Sequence, residues 1–66
     1  MRNRLRESRI NNGLNQRQLA EKAHTPQSLV SSIERGVIKP WPKVIKRLSK
    51  ALKVPVNELF PDDFSK

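Results

Sequence analysis

The side chains in this 66-residue sequence that could carry chemistry are carboxamides, hydroxyls and cations, and little else. Cysteine is absent and the one histidine is His24. The one adjacent carboxylate pair, Asp62–Asp63, sits near the end of the chain, where such groups are ordinarily solvated. A nucleophile with its base, a general acid–base pair or a three-ligand metal set needs residues that are missing here. Two glycines are also too few for a phosphate-cradling loop. Neither catalysis, a bound metal nor an organic cofactor is expected. What remains is a set of hydrogen-bonding groups: Asn15, Gln16 and Gln18 in one run, Gln27, Ser28, Ser31 and Ser32 in the next, and Arg35, Lys39 and Lys43 after them. Groups of this kind bind a partner without transforming it.

The charge balance narrows the partner. Fourteen Lys and Arg against six Asp and Glu give a net charge of +8 and a pI near 11.0. Residues 1–53 hold 13 bases and three acids (Glu7, Glu21, Glu34), net +10, whereas residues 54–66 hold one base and three acids, net −2. A field of that sign attracts DNA, RNA or an anionic membrane surface, and does not by itself choose among them. No apolar run exceeds two residues, so neither a membrane span nor a signal-peptide core is expected. The lack of cysteine fits a reducing compartment, and the chain reads as cytosolic and complete from Met1. At this length the expected organisation is a single domain, 1–66, with a core over about 5–60. A core this small rarely supplies more than about 3 to 5 kcal/mol.

Short helical patterns separated by Gly and Pro must position these groups. Residues 2–12 place Leu5, Arg9 and Ile10 on one side of a first helix, and Gly13 stands where a left-handed terminating residue belongs. Asn15 with Gln18 forms an Asn-x-x-Gln capping box ahead of a second helix over 16–23, with Leu19, Ala20 and Ala23 on its apolar face. Thr25 followed by Pro26 signals a third helix: the threonine side chain accepts from a free amide, and proline suits the first turn. That helix runs to Glu34 and is closed by Gly36. Only His24 separates helices two and three, so they must cross sharply. After a rigid Lys39-Pro40-Trp41-Pro42 loop, Val44, Ile45, Leu48, Ala51 and Leu52 define a fourth helix over about 42–52. Pro55 opens a fifth short helix carrying Val56, Leu59 and Phe60, and Pro61 ends it. The expected fold class is all-α, a compact bundle of five helices.

Residues 15–36, NQRQLAEKAHTPQSLVSSIERG, resemble the helix-turn-helix of the phage repressor and Cro family, the XRE family. The marks are Gln16, Leu19-Ala20, Ala23, Val30, Ile33, Glu34 and Gly36, then Pro40, Leu48, Leu52, Val56 and Glu58-Leu59-Phe60, so that the likeness extends over about Leu5 to Phe60. The resemblance implies a lambda-repressor-like fold with its helix-turn-helix at 16–34. It also implies binding to double-stranded DNA by a cytoplasmic, nucleoid-associated regulator of bacterial or phage origin, of the repressor kind. In this motif the second helix of the pair enters the major groove while the first bridges the backbone. Gln27 then becomes the leading base reader, able to pair with adenine N7 and N6 in a bidentate contact worth about 1 to 3 kcal/mol of discrimination. Ser28, Ser31 and Ser32 are weaker candidates, because serine is permissive. Family members use the glutamine equivalent to Gln16 to bond a phosphate and steady the reading glutamine. Asn15 and Gln16 lie at a positive helix end that suits phosphate, and Arg35, Lys39 and Lys43 would clamp the backbone. Arg9 and Glu34 are assigned by the resemblance to a structural ion pair between helices one and three. Family members usually carry glycine where this chain has His24, a departure expected to cost about 1 kcal/mol of strain.

Other expectations concern the ends and the partners. Arg2, Arg4 and Arg6 read as a frayed terminus, with an arm reaching the duplex as the alternative. Trp41 is expected to pack at the entrance of helix four, with an indole-to-phosphate bond as the lesser option. One short helix touches few base pairs, so a homodimer on two half-sites is expected. Val54, Val56, Leu59, Phe60 and Phe64 are candidates for its interface, and burial of Val56, Leu59 and Phe60 in the monomer's own core is an equal alternative. A protein-interaction module of the antitoxin type is the main rival reading. RNA ranks third, since the candidate reading helix has no aromatic residue to stack on bases.

Overall fold

A computed structural model describes residues 3–61. Its elements are α1 (Leu5–Asn11), α2 (Gln16–Ala23), α3 (Gln27–Glu34), α4 (Pro42–Leu52) and α5 (Val56–Leu59), with no strand among the described residues. Their order and bounds follow the pattern of caps and punctuation closely. α2 begins with the full capping box: Asn15 Oδ1 accepts from the Gln18 amide at 2.7 Å, and Gln18 Oε1 accepts from the Asn15 amide at 2.8 Å. Two of the orphan donors at the helix start are thereby satisfied.

The core forms where α2 packs against α3 and α4 and where α5 closes the base of α4. Leu5, Leu19, Ile33, Leu48, Leu59 and Phe60 are all fully buried in it. The radius of gyration, 10.4 Å, is close to the ~11 Å expected for a chain of this length folded as one domain. Burial of Leu59 and Phe60 decides between the two roles weighed for them: Phe60, at 0% exposure, is monomer core and unavailable to a dimer interface. Val54 and Val56 are half-buried against the same core. Phe64 lies outside the described residues, as do Arg2, Asp62 and Asp63.

Four further expectations are corrected. Thr25 does not cap α3: Pro26 occupies the N-cap position, no side-chain bond is made there, and Thr25 Oγ1 is buried without a partner. Ile10 does not join the apolar face of α1 and is 54% exposed. Leu5 is the one residue of that helix buried in the core, because α1 is only two turns long and meets the core through its first turn. Trp41 does not pack at the start of α4 but stands 62% exposed. Finally, the chain is tied down from residue 3 onward. Asn3 Nδ2 donates to the Ile33 carbonyl at 2.8 Å, Asn3 Oδ1 accepts from the Leu5 amide at 3.0 Å, and the Arg4 amide donates to the Leu59 carbonyl at 2.8 Å. Arg4 and Arg6 are exposed on this anchored backbone rather than on a frayed end.

Candidate nucleic-acid interface

α3 is an eight-residue helix whose apolar seam, Val30 and Ile33, is sealed into the core. At about 3.6 residues per turn, Ser28 and Arg35 lie across the helix from that seam, with Ser31 and Ser32 on the two shoulders and Gln27 at the N-terminal edge. Burial follows this geometry: Gln27, Ser28 and Arg35 are exposed, whereas Ser31 and Ser32 are half-buried. The polar face is therefore narrower than the sequence suggested. The short side chain of Ser28 at its centre lets another body approach the helix closely.

The turn that sets α3 against α2 is built on His24, at φ 56° and ψ 47° in the left-handed region. The Thr25 amide reaches back to the Ala20 carbonyl at 2.9 Å and the His24 amide to Glu21 at 3.3 Å. Arg47 Nη1 adds a long bond, 3.4 Å, to the His24 carbonyl from α4. The turn thus survives with histidine in the place that the family gives to glycine.

Arg9, Gln16 and Glu34 are drawn into one network. Arg9 Nε donates to Glu34 Oε2 at 2.6 Å and Arg9 Nη2 to Oε1 at 3.3 Å, while Arg9 Nη1 holds the Leu14 carbonyl at 2.9 Å. The side chains of Arg9 and Glu34 are only 12% and 4% exposed. Gln16 Nε2 donates to the same Glu34 Oε1 at 3.2 Å. The expected link from Gln16 to Gln27 is therefore replaced by a link from Gln16 to the far end of α3. The physical reason is that a carboxylate is a stronger acceptor than a neutral amide. Asn15 and Gln16 remain at the amino end of α2, where unpaired amides and the helix dipole favour a phosphate.

Charge along this stretch of the chain is one-signed. Between Lys22 and Asn57 the sequence has a single acid, Glu34, and it is buried against Arg9. Arg35, Lys39 and Lys43 are all exposed around the end of α3 and the start of α4. Lys46, Arg47, Lys50 and Lys53 extend the same sign along α4. Nothing in the described residues groups three histidine or carboxylate side chains as a metal would need. No helix there is long and apolar enough to cross a membrane.

Sequence reasoning missed Asn3, whose side chain bridges the start of α1 and the last turn of α3. No local pattern announces it, since its partner is 30 residues away. It also missed how completely Glu34 is withdrawn from the surface, a property of packing between helices.

Comparison with known proteins agrees with this geometry. The family model described as helix-turn-helix matches residues 5–59. A solved structure titled SinR protein/SinI protein complex superposes with a TM-score of 0.84 at 32% identity, covering 94% of this chain and 61% of that one. The present chain thus spans about three-fifths of the length of that relative. No curated protein matches it. With a capped α2, a left-handed turn at His24 and a sealed α3 presenting a polar flank, all inside the matched span, the chain belongs to the XRE-type helix-turn-helix family.

Proposed function

We propose that this protein is a sequence-specific regulator that binds double-stranded DNA, with α3 in the major groove and the amino end of α2 on the sugar–phosphate backbone. The observation that carries the reading is the division of α3 into a sealed seam and an exposed flank of Gln27, Ser28 and Arg35, followed along the chain by exposed Lys39 and Lys43 with no acid until Glu58. A helix of about 12 Å with small side chains fits the roughly 12 Å width of that groove. Gln27 reads one base pair, Ser28 contributes a permissive second contact, and Ser31 and Ser32 contribute at the groove walls. Asn15, Gln16, Arg35, Lys39 and Lys43 hold phosphates, fixing register without carrying much sequence information. Two copies on half-sites about one helical turn apart supply the specificity that one short helix lacks. Occupation of an operator then represses transcription without any activating surface.

A protein partner is a second reading, favoured by one observation: the solved relative was captured as SinR protein with SinI protein. Binding by a second protein is compatible with regulation of the first activity.

Selection of bound duplexes from a random pool tests the main reading, with Gln27→Ala and Lys39→Ala compared on the recovered sequence. Gln27→Ala relaxes preference at one base pair per half-site, by about 1 to 3 kcal/mol. Lys39→Ala weakens all sequences alike and lowers the salt dependence by about one unit per subunit. Recovery of no consensus refutes the reading, and uniform losses from both variants would demote Gln27 to a backbone contact.

A further inference from the structure

We infer that Trp41 is an additional contact to the duplex, its indole ring lying on a deoxyribose beside the groove that α3 enters and its Nε1–H directed at a phosphate oxygen. The inference rests on the duplex-binding reading above and adds an apolar contact that the cationic clamp does not provide.

Three properties of Trp41 lead there. It occupies the N-cap of α4 and makes no side-chain cap bond. Serine, threonine, aspartate and asparagine are preferred at that position because their oxygens accept from a free helix amide; indole has a donor and no acceptor. The residue is therefore a poor choice for starting the helix. Its ring is also 62% exposed, so little of its apolar area serves the core. Burial against a partner would recover both the area and a bond for the N–H. Lastly, Trp41 is held at φ −71° and ψ 154° between a buried Pro40 and Pro42 at the start of α4. With the backbone fixed, few torsions remain to be ordered on binding.

The surroundings select the occupant. Val37, 64% exposed, belongs to the same loop, and Arg35, Lys39 and Lys43 flank the pair in sequence with no acid between residues 35 and 57. Exposed apolar side chains interleaved with cations along one loop complement a sugar set between phosphates. A second copy of this chain would instead bring the like charges of two such loops together.

Trp41 is the only tryptophan, so intrinsic fluorescence reports on this position alone. The experiment titrates the protein with a duplex spanning two selected half-sites and with a random-sequence duplex of equal length, reading Trp41 emission and acrylamide quenching. Anisotropy of a dye-labelled duplex measures binding independently. Emission is expected to change and quencher access to fall as the duplex saturates. Trp41→Ser supplies the missing cap acceptor, so it should melt no lower than the wild type while binding both duplexes about three- to tenfold more weakly. Trp41→Phe, which keeps a ring and loses the N–H, should fall between.

Saturation without any change in Trp41 emission overturns the contact and leaves duplex binding intact, as does wild-type affinity in Trp41→Ser. A Trp41→Ser protein that melts well below the wild type and loses affinity in parallel assigns the residue to packing and also overturns it. An emission shift on concentrating the protein alone makes a second copy the occupant, and the contact to the duplex falls in that case too. If anisotropy rises on neither duplex, the underlying reading falls together with the contact.

Discussion

At the scale of single residues, Glu34, the one carboxylate between Lys22 and Asn57, is withdrawn from the surface. Arg9 holds both of its oxygens and Gln16 shares one of them. Removing one member of so buried a pair leaves an uncompensated charge, at a cost of about 3 to 5 kcal/mol. A domain of this length has roughly 3 to 10 kcal/mol of total stability. Arg9→Ala should therefore melt at least about 12 °C lower in a circular-dichroism scan, or fail to fold cooperatively. A loss of only a few degrees would mean the pair is solvated. The double change Arg9→Met with Glu34→Leu is the more informative variant. Replacing a buried pair by apolar groups is often neutral or stabilising, yet it takes from Gln16 its acceptor. Stability should be kept while duplex affinity falls. The pairing of Arg9 with Glu34 was legible through the family resemblance. The place of Gln16 beside it was not, because the distance between the start of α2 and the end of α3 is set by the turn between them and not by local sequence.

At the scale of elements, each of the first four helices is followed by a residue in the left-handed region: Gly13 at φ 70°, His24 at 56°, Gly36 at 72° and Lys53 at 57°. Each conformation lets the next amide reach back: Leu14 to Arg9, Thr25 to Ala20, Val37 to Ser32 and Val54 to Ser49. The two glycines were legible because only glycine adopts this region freely. His24 was legible as a departure from the family pattern. Lys53 was not, since nothing in a lysine favours positive φ; tertiary structure imposes it, helped by the Ser49 hydroxyl donating to the Val54 carbonyl. Thr25 failed in the opposite way. It matches a capping residue in type and spacing, but its hydroxyl is turned inward and Pro26 takes the position. Where the left-handed state is imposed on a side chain, relief should be measurable. His24→Gly and Lys53→Gly should each stabilise by about 0.5 to 1 kcal/mol, the strain removed less the extra entropy of glycine in the unfolded chain. That corresponds to a few degrees in melting temperature. Destabilisation by His24→Gly would show that the imidazole, or the Arg47 contact to its carbonyl, contributes more than the strain costs.

At the scale of the whole molecule, charge and copy number are linked, and salt dependence reads both. Each protomer presents three exposed cations around the proposed reading helix, Arg35, Lys39 and Lys43. If each neutralises one phosphate, log K should fall against log salt with a slope of about −3 for one protomer and about −5 for two. Engagement of the α4 cations Lys46, Arg47, Lys50 and Lys53 as well would steepen the dimer slope to about −13. A slope near −5 between 50 and 200 mM, a loss of on the order of 10³ in affinity, together with two protomers per duplex by sedimentation, supports two protomers held by the clamp residues alone. The interface joining them cannot use Phe60, which is sealed in the core. Of the apolar side chains near the carboxyl end, half-buried Val54 and Val56 remain, together with Phe64 beyond the described residues. Sedimentation of Phe64→Ala without DNA then separates two cases. A dimer reduced to monomer places the contact in the tail; an unchanged dimer moves it elsewhere, with exposed Ile10 on α1 as the next apolar side chain to replace. A slope near −3 with one protomer per duplex would instead exclude paired half-sites, leaving one eight-residue helix to supply all the specificity.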